Sequence, residues 1–143
     1  MHSLVAIDQL SSPIERDTVV PLPILQRIEE HMQTTHLFDE KKMELFPGID
    51  AQIFPGKQIM VMRVSLEQGA IATAHDHSHE QISIVLQGEM EFTIGEEQKT
   101  LKTGDAVVIP SDVTHSAKAI VKCELIEVFS PVREDLVKRY SNV

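Results

Sequence analysis

The sequence predicts an all-β domain, a closed barrel or sandwich of short strands, preceded by an extension that carries one helix. Three observations lead there. From Phe46 onward, turn residues punctuate the chain at close intervals: Phe46-Pro47-Gly48, Phe54-Pro55-Gly56, Gln68-Gly69, Gln87-Gly88, Ile94-Gly95 and Thr103-Gly104. Between them, apolar and polar residues alternate with a period of two. No long helical pattern interrupts the strands, so their edges are expected to pair with one another and close the sheet.

The elements follow in order. Residues 1–44 read as the extension, in which Pro21 and Pro23 lead into a stretch where Leu25, Ile28 and Met32 recur at helical spacing, with Glu29 and Glu30 on other faces. A stripe of this kind packs on its own barrel or on a partner subunit. Residues 45–143 read as the barrel. Within it Ile82, Ile84 and Leu86 alternate with Ser83 and Gln87, and Met90, Phe92 and Ile94 with Glu91 and Thr93, so each strand has one apolar and one polar face. Gly95-Glu96-Glu97 reads as a hairpin tip, Lys102-Thr103-Gly104-Asp105 as a tight turn before a buried run Ala106–Ile109, and the stretch from Pro131 to Tyr140 as a short closing helix.

Composition bounds the function. With 143 residues, 42% hydrophobic and 24% charged, the chain has the size and make-up of one folded domain. Five Phe, one Tyr and no Trp imply a core of Ile, Val, Leu and Met. A net charge of −9 argues against nucleic acid or an anionic bilayer as partner, since both need a basic face, and leaves a small molecule. Cys123 is the single cysteine, so no intrachain disulfide forms and no thiolate cage is available; it reads as a small buried hydrophobe. The first residues have neither a basic stretch before an apolar run nor a span of membrane length, and the expectation is a cytoplasmic protein.

The chemistry concentrates in histidines. His75 and His77 lie two apart, which on extended backbone puts two imidazoles side by side. Imidazole suits Zn, Cu, Fe and Ni, and the Gln81 amide oxygen is a neutral donor that tolerates Mn, Fe, Ni or Zn. His115 follows the strand Ala106–Ile109 and a turn, from which it can return to the same pocket. The expected cofactor is therefore one divalent ion, Ni, Zn, Mn or Fe, held by His75, His77, Gln81 and His115. His79 shares their parity and competes with Gln81 for the fourth position.

This spacing resembles the two motifs of the cupin superfamily. Gly69, His75, His77, Gln81 and Gly88 match the first, with Gln where many members have Glu; Gly104, Pro110 and His115 match the second, with Asp112 in place of its usual Gly and Ala119 in place of its usual Asn. The resemblance spans roughly residues 45 to 135, keeps His79 off the site, and implies a double-stranded β-helix, or jelly roll. The set of three His and a Gln is similar to that of KdgF-like cupins of pectin and alginate breakdown, which open unsaturated uronate monomers to linear keto acids.

The segment Glu127 to Asp135 resembles a stretch of that subfamily with Asp, Phe and Arg at the spacing of Glu127, Phe129 and Arg133. It implies a catalytic role for Glu127, one methylene longer than the family's Asp, and for Arg133, with Phe129 at the substrate. Taken alone, Glu127 and Arg133 would form an exposed ion pair and Phe129 would pack in the core. The resemblance also implies a homodimer and an anionic sugar acid as substrate. A quercetinase-like metal-dependent dioxygenase and a non-enzymatic sugar-acid sensor are the alternative functions; few aromatic residues argue against the first and the lack of a basic DNA-binding segment against the second.

Overall fold

A computed structural model describes residues 31–143. The expected helix through Leu25 and Ile28 lies outside the described residues; Met32, the last member of its stripe, is described and is 92% exposed.

Among the described residues, ten strands build two antiparallel sheets. They are β1 (Met43–Phe46), β2 (Ile49–Pro55), β3 (Met60–Leu66), β4 (Ile71–His75), β5 (Glu80–Gln87), β6 (Glu89–Ile94), β7 (Glu97–Lys102), β8 (Ala106–Ile109), β9 (His115–Ala119) and β10 (Cys123–Ser130). A 3₁₀ turn (Leu37–Asp39) precedes them and one helix, α1 (Glu134–Ser141), follows. One sheet has six strands in the order β1-β2-β3-β10-β5-β8, and the other four in the order β4-β9-β6-β7. From β3 onward, apart from the β6–β7 hairpin, each strand lies in the opposite sheet from the one before it, the arrangement of a jelly roll.

The core lies between the sheets. On β3, Met60, Met62, Val64 and Leu66 are buried at every second position, as two-residue alternation dictates. They meet Ile49, Ala51 and Ile53 of β2 and Leu125 and Phe129 of β10, with Val85, Met90 and Phe92 completing one cluster. Burial of each such side chain contributes about 1.5–3 kcal/mol. Unbranched Met accommodates to irregular space, which suits a core with few aromatic rings.

The hairpin and turn fall as expected: Gly95 takes φ 58° between β6 and β7, and Asp105 closes the β7–β8 turn by accepting from Lys102 N at 2.8 Å. Helix α1 caps one end of the barrel with Leu136 buried, and the Tyr140 hydroxyl donates to the Lys41 carbonyl at 2.8 Å. Cys123 is fully buried, its Sγ between Glu89 N and Glu89 O.

One expectation is corrected and one left open by the alternation is settled. The run Ala106–Ile109 is not buried as a whole: β8 is an edge strand, Val108 is 53% exposed, and only Ile109 is fully buried, with Val107 partly buried against the core. On β5 the polar face turns inward: Gln81, Ser83 and Val85 are buried while Ile82 and Leu86 face out. Alternation fixes which residues share a face, not which face meets the core.

Candidate metal centre

The two sheets supply different halves of the site. From the four-stranded sheet come His75, the last residue of β4, and His115, the first of β9; they are direct cross-strand partners, with ring centroids 4.3 Å apart. His77 lies beyond β4, in the loop that leads to β5, and its ring stands 4.9 Å from that of His115. The two-residue spacing therefore works through extended backbone outside the sheet. From the six-stranded sheet come Gln81 and Ser83 on β5 and Glu127 and Phe129 on β10, held in register as Gln81 opposite Phe129 and Ser83 opposite Glu127.

Each of the three imidazoles is oriented by a backbone carbonyl. Nδ1 of His75 lies 2.6 Å from Thr73 O, Nδ1 of His77 lies 3.0 Å from His79 O, and Nδ1 of His115 lies 2.8 Å from Val113 O. A carbonyl only accepts, so each Nδ1 carries the proton and each Nε2 presents a lone pair. One ring nitrogen from each residue lies within 4.8 Å of the others, on the scale of twice a metal–nitrogen bond of about 2.1 Å.

Two further observations test whether a cation fits. His115 Nε2 is buried with no hydrogen-bond partner, a costly state unless something fills it. His77 Nε2 stands 3.1 Å from Gln81 Oε1; with the ring proton on Nδ1 these are two acceptors facing each other, which a shared cation reconciles. Loss of solvent, then Arg133 and His115, pull His77 down to about 4. Burial likewise lowers His115. Both rings are thereby kept neutral, the form in which an imidazole can ligate. The donor set fits a divalent ion of the Zn, Ni, Fe or Mn type.

The Asp112 turn supports the loop. Asp112 takes φ 63°, the left-handed conformation that Asp tolerates and Gly adopts freely, and its N–H donates to His77 O at 2.9 Å. The Gly-to-Asp departure thus preserves the turn. His79 lies in the same loop, with Nδ1 buried and without a hydrogen-bond partner, and is not part of the three-histidine group.

Beside the histidines is a cavity of about 210 Å³ whose lining includes Phe46, Met62, Phe92, Glu127, Phe129 and Arg133. Glu127 is no exposed ion-pair residue: it faces this cavity, and loss of solvent pushes its carboxyl up to about 7 against the opposing pull of Ser83, Arg133 and Gln81. Arg133 lies over the Phe129 ring at 5.3 Å and pairs instead with Asp135. Phe129 is both core and wall, 1% exposed with its ring edge-on to His77 at 5.9 Å.

Ser83 and Asp135 were not singled out in the sequence. Both signals were present: Ser83 shares strand parity with Gln81, and Asp135 follows Arg133 by two residues at the start of a helix.

Comparison with known proteins agrees with this arrangement. A family model described as a cupin domain matches residues 62–129. The pectin degradation protein KdgF of Dickeya dadantii is 36% identical over 97 residues, covering 66% of this chain and 88% of the relative. Among solved structures, KdgF from Halomonas sp. superposes with a TM-score of 0.65 at 33% identity, covering 69% of this chain and 93% of the other. An RmlC-like cupin from Shewanella frigidimarina gives a TM-score of 0.67 at 29% identity, covering 73% and 97%. A salicylate 1,2-dioxygenase from Pseudaminobacter salicylatoxidans gives 0.60 at 20% identity, covering 65% of this chain and 29% of that one, a likeness of fold alone. Two crossed sheets, a histidine cluster at their junction and a relative matched over most of its length make this chain a member of the cupin family, in the company of KdgF.

Proposed function

We propose that this chain is a metal-dependent enzyme that opens unsaturated uronate monomers to linear keto acids. The observation that carries the reading is the placement of Glu127: a carboxyl from the six-stranded sheet, which also supplies Gln81, faces the cavity that His75 and His115 of the other sheet line, and Arg133 lines it too. The KdgF relative, named for pectin degradation, supplies the substrate class.

In this reading His75, His77, Gln81 and His115 hold the ion. A divalent cation held by neutral ligands keeps its full charge and supplies Lewis-acid stabilisation of anionic oxygen. Arg133 binds the substrate carboxylate as a planar fork. Opening breaks the hemiacetal bond between the anomeric carbon and the ring oxygen. The anomeric hydroxyl loses its proton and becomes a carbonyl, while the ring oxygen keeps the electron pair as an enolate. Protonation at carbon then yields the second carbonyl, so the reaction is an isomerisation with no net gain or loss of atoms. Glu127 faces the cavity and carries the proton between the two positions. The apolar lining, Met62 and Phe92 among it, limits water around the enolate.

The test is to add metal-loaded protein to unsaturated galacturonate and follow ultraviolet absorbance. Loss of the conjugated chromophore faster than in buffer, without oxygen uptake, is the expected outcome; a rate equal to buffer contradicts the reading, and oxygen consumption with a flavonol or diketone points to a dioxygenase instead.

A further inference from the structure

We propose that Ser83 is a positioning residue that fixes the Gln81 side-chain amide with its oxygen toward the imidazoles and joins this fourth ligand to Glu127. The inference rests on the metal-centre reading above.

A glutamine amide has two ends of nearly equal shape and opposite polarity. Only the oxygen can ligate a cation, and a half-turn about the last side-chain bond would put N–H groups there instead. Something must choose between the two. Nothing in the imidazole cluster does so before a cation arrives, because its lone pairs would favour the N–H₂ end.

The hydrogen-bond chain supplies the choice. Gln81 Nε2 donates to Ser83 Oγ at 3.0 Å, and Ser83 Oγ donates to Glu127 Oε1 at 3.1 Å. A hydroxyl has one proton. With Glu127 ionised and that proton given to its carboxylate, the Ser83 oxygen can only accept from its other side, and only the N–H₂ end of Gln81 can donate to it. The opposite amide orientation would set Oε1 against Ser83 Oγ, acceptor to acceptor. Ser83 is fully buried, so water does not compete for either bond.

The backbone sets the reach of each member. Gln81 and Ser83 share the inward face of β5, and Ser83 lies directly across from Glu127 on β10. The amide end of Gln81 that meets the histidines is therefore decided one strand away. Glu127, whose proposed task is to move a proton, and the ligand set are parts of one polar chain.

The test uses the full chain, first without metal. In a ¹⁵N-labelled sample freed of metal by chelator, wild type is expected to show a slowly exchanging Gln81 side-chain N–H₂ pair, held by its acceptor. Ser83→Ala is expected to shift that pair and speed its exchange, and Ser83→Thr, which keeps the hydroxyl, to restore it. Competition titration with Ni(II) is then expected to show metal affinity falling about 10- to 100-fold in Ser83→Ala, the usual range for loss of an outer-shell partner, with recovery in the Thr variant. Unchanged Gln81 amide signals together with wild-type Ni(II) affinity in Ser83→Ala would overturn the proposal. A wild-type chain that binds no divalent ion, while its Gln81 amide responds to Ser83→Ala as expected, would overturn the metal reading and uphold the orientation by Ser83.

Discussion

Arg133 spends its guanidinium fork on Asp135: Nε donates to Oδ1 at 3.0 Å and Nη2 to Oδ2 at 2.8 Å. The arginine side chain is only 12% exposed while that of Asp135 is 60% exposed, so the pair sits at the rim with the arginine on the inside. An incoming carboxylate must compete with Asp135 for the same fork. The carboxyl of Asp135, held at about 2 first by that hydrogen bond, stays charged under all ordinary conditions.

Asp135→Asn keeps the shape and removes the competing charge. A rim pair of this kind is worth up to about 1 kcal/mol, so KM for an anionic uronate is expected to fall by up to about fivefold, with kcat nearly unchanged. Arg133→Ala is expected to raise KM at least tenfold. Steady-state kinetics on both variants check this; a rise in KM for Asp135→Asn would show that the carboxylate serves only to brace the arginine.

Glu127 and His77 give the metal-free chain two opposed pH dependences. Burial raises Glu127 from 4.5 to about 7, so between those values the native state holds a proton that the unfolded chain has released. Its contribution to stability is complete below 4.5 and is lost as pH rises through about 7. His77 is lowered from 6.5 to about 4, so the unfolded chain takes its proton first; that contribution is complete above 6.5 and is lost as pH falls through about 4. His115 acts in the same sense as His77.

The two slopes offset each other between about 4.5 and 6.5. Glu127→Gln removes one of them. In chelator, wild-type Tm is expected to fall gently on acidification across that window, because His77 and His115 together outweigh Glu127, and the variant to lose stability clearly more steeply from 6.5. Parallel Tm profiles for the two proteins would show that Glu127 does not take up a proton on folding.

Gly88 separates β5 from β6 at φ 99°, and a Cβ there would lie 2.5 Å from Cys123 Sγ and 2.5 Å from the Lys122 carbonyl oxygen. Both the backbone conformation and the close approach demand glycine. Gly88→Ala is expected to cost about 3 kcal/mol or more, from a strained φ and an overpacked contact together. Urea unfolding measures it, and a loss below about 1 kcal/mol would mean that the Lys122–Cys123 segment yields easily.

The clustering of His75, His77 and His115 was legible in the sequence because its constraints are largely local. Two-residue spacing on extended chain places His75 beside His77, and glycines at forced turns, Gly88 among them, mark the strand ends in order. What the sequence hid depends on tertiary context. Period-two alternation on β5 names Ile82 and Leu86 as one face and Gln81 and Ser83 as the other, yet it is the polar set that turns inward. Similarly, the apolar run Ala106–Ile109 reads as buried until the sheet order shows β8 at an edge. The sequence paired Arg133 with Glu127, whereas Asp135, in the first turn of α1, takes the guanidinium instead.

The central claim is that His75, His77, Gln81 and His115 hold one divalent ion between the two sheets. The most direct measurement is calorimetric titration of chelator-stripped protein with Ni(II) or Zn(II), in wild type and in His115→Ala, with folding of both confirmed by circular dichroism. One equivalent is expected to bind wild type tightly, and affinity is expected to collapse in the variant. Absence of binding in wild type, or equal stoichiometry and affinity in His115→Ala, would contradict it.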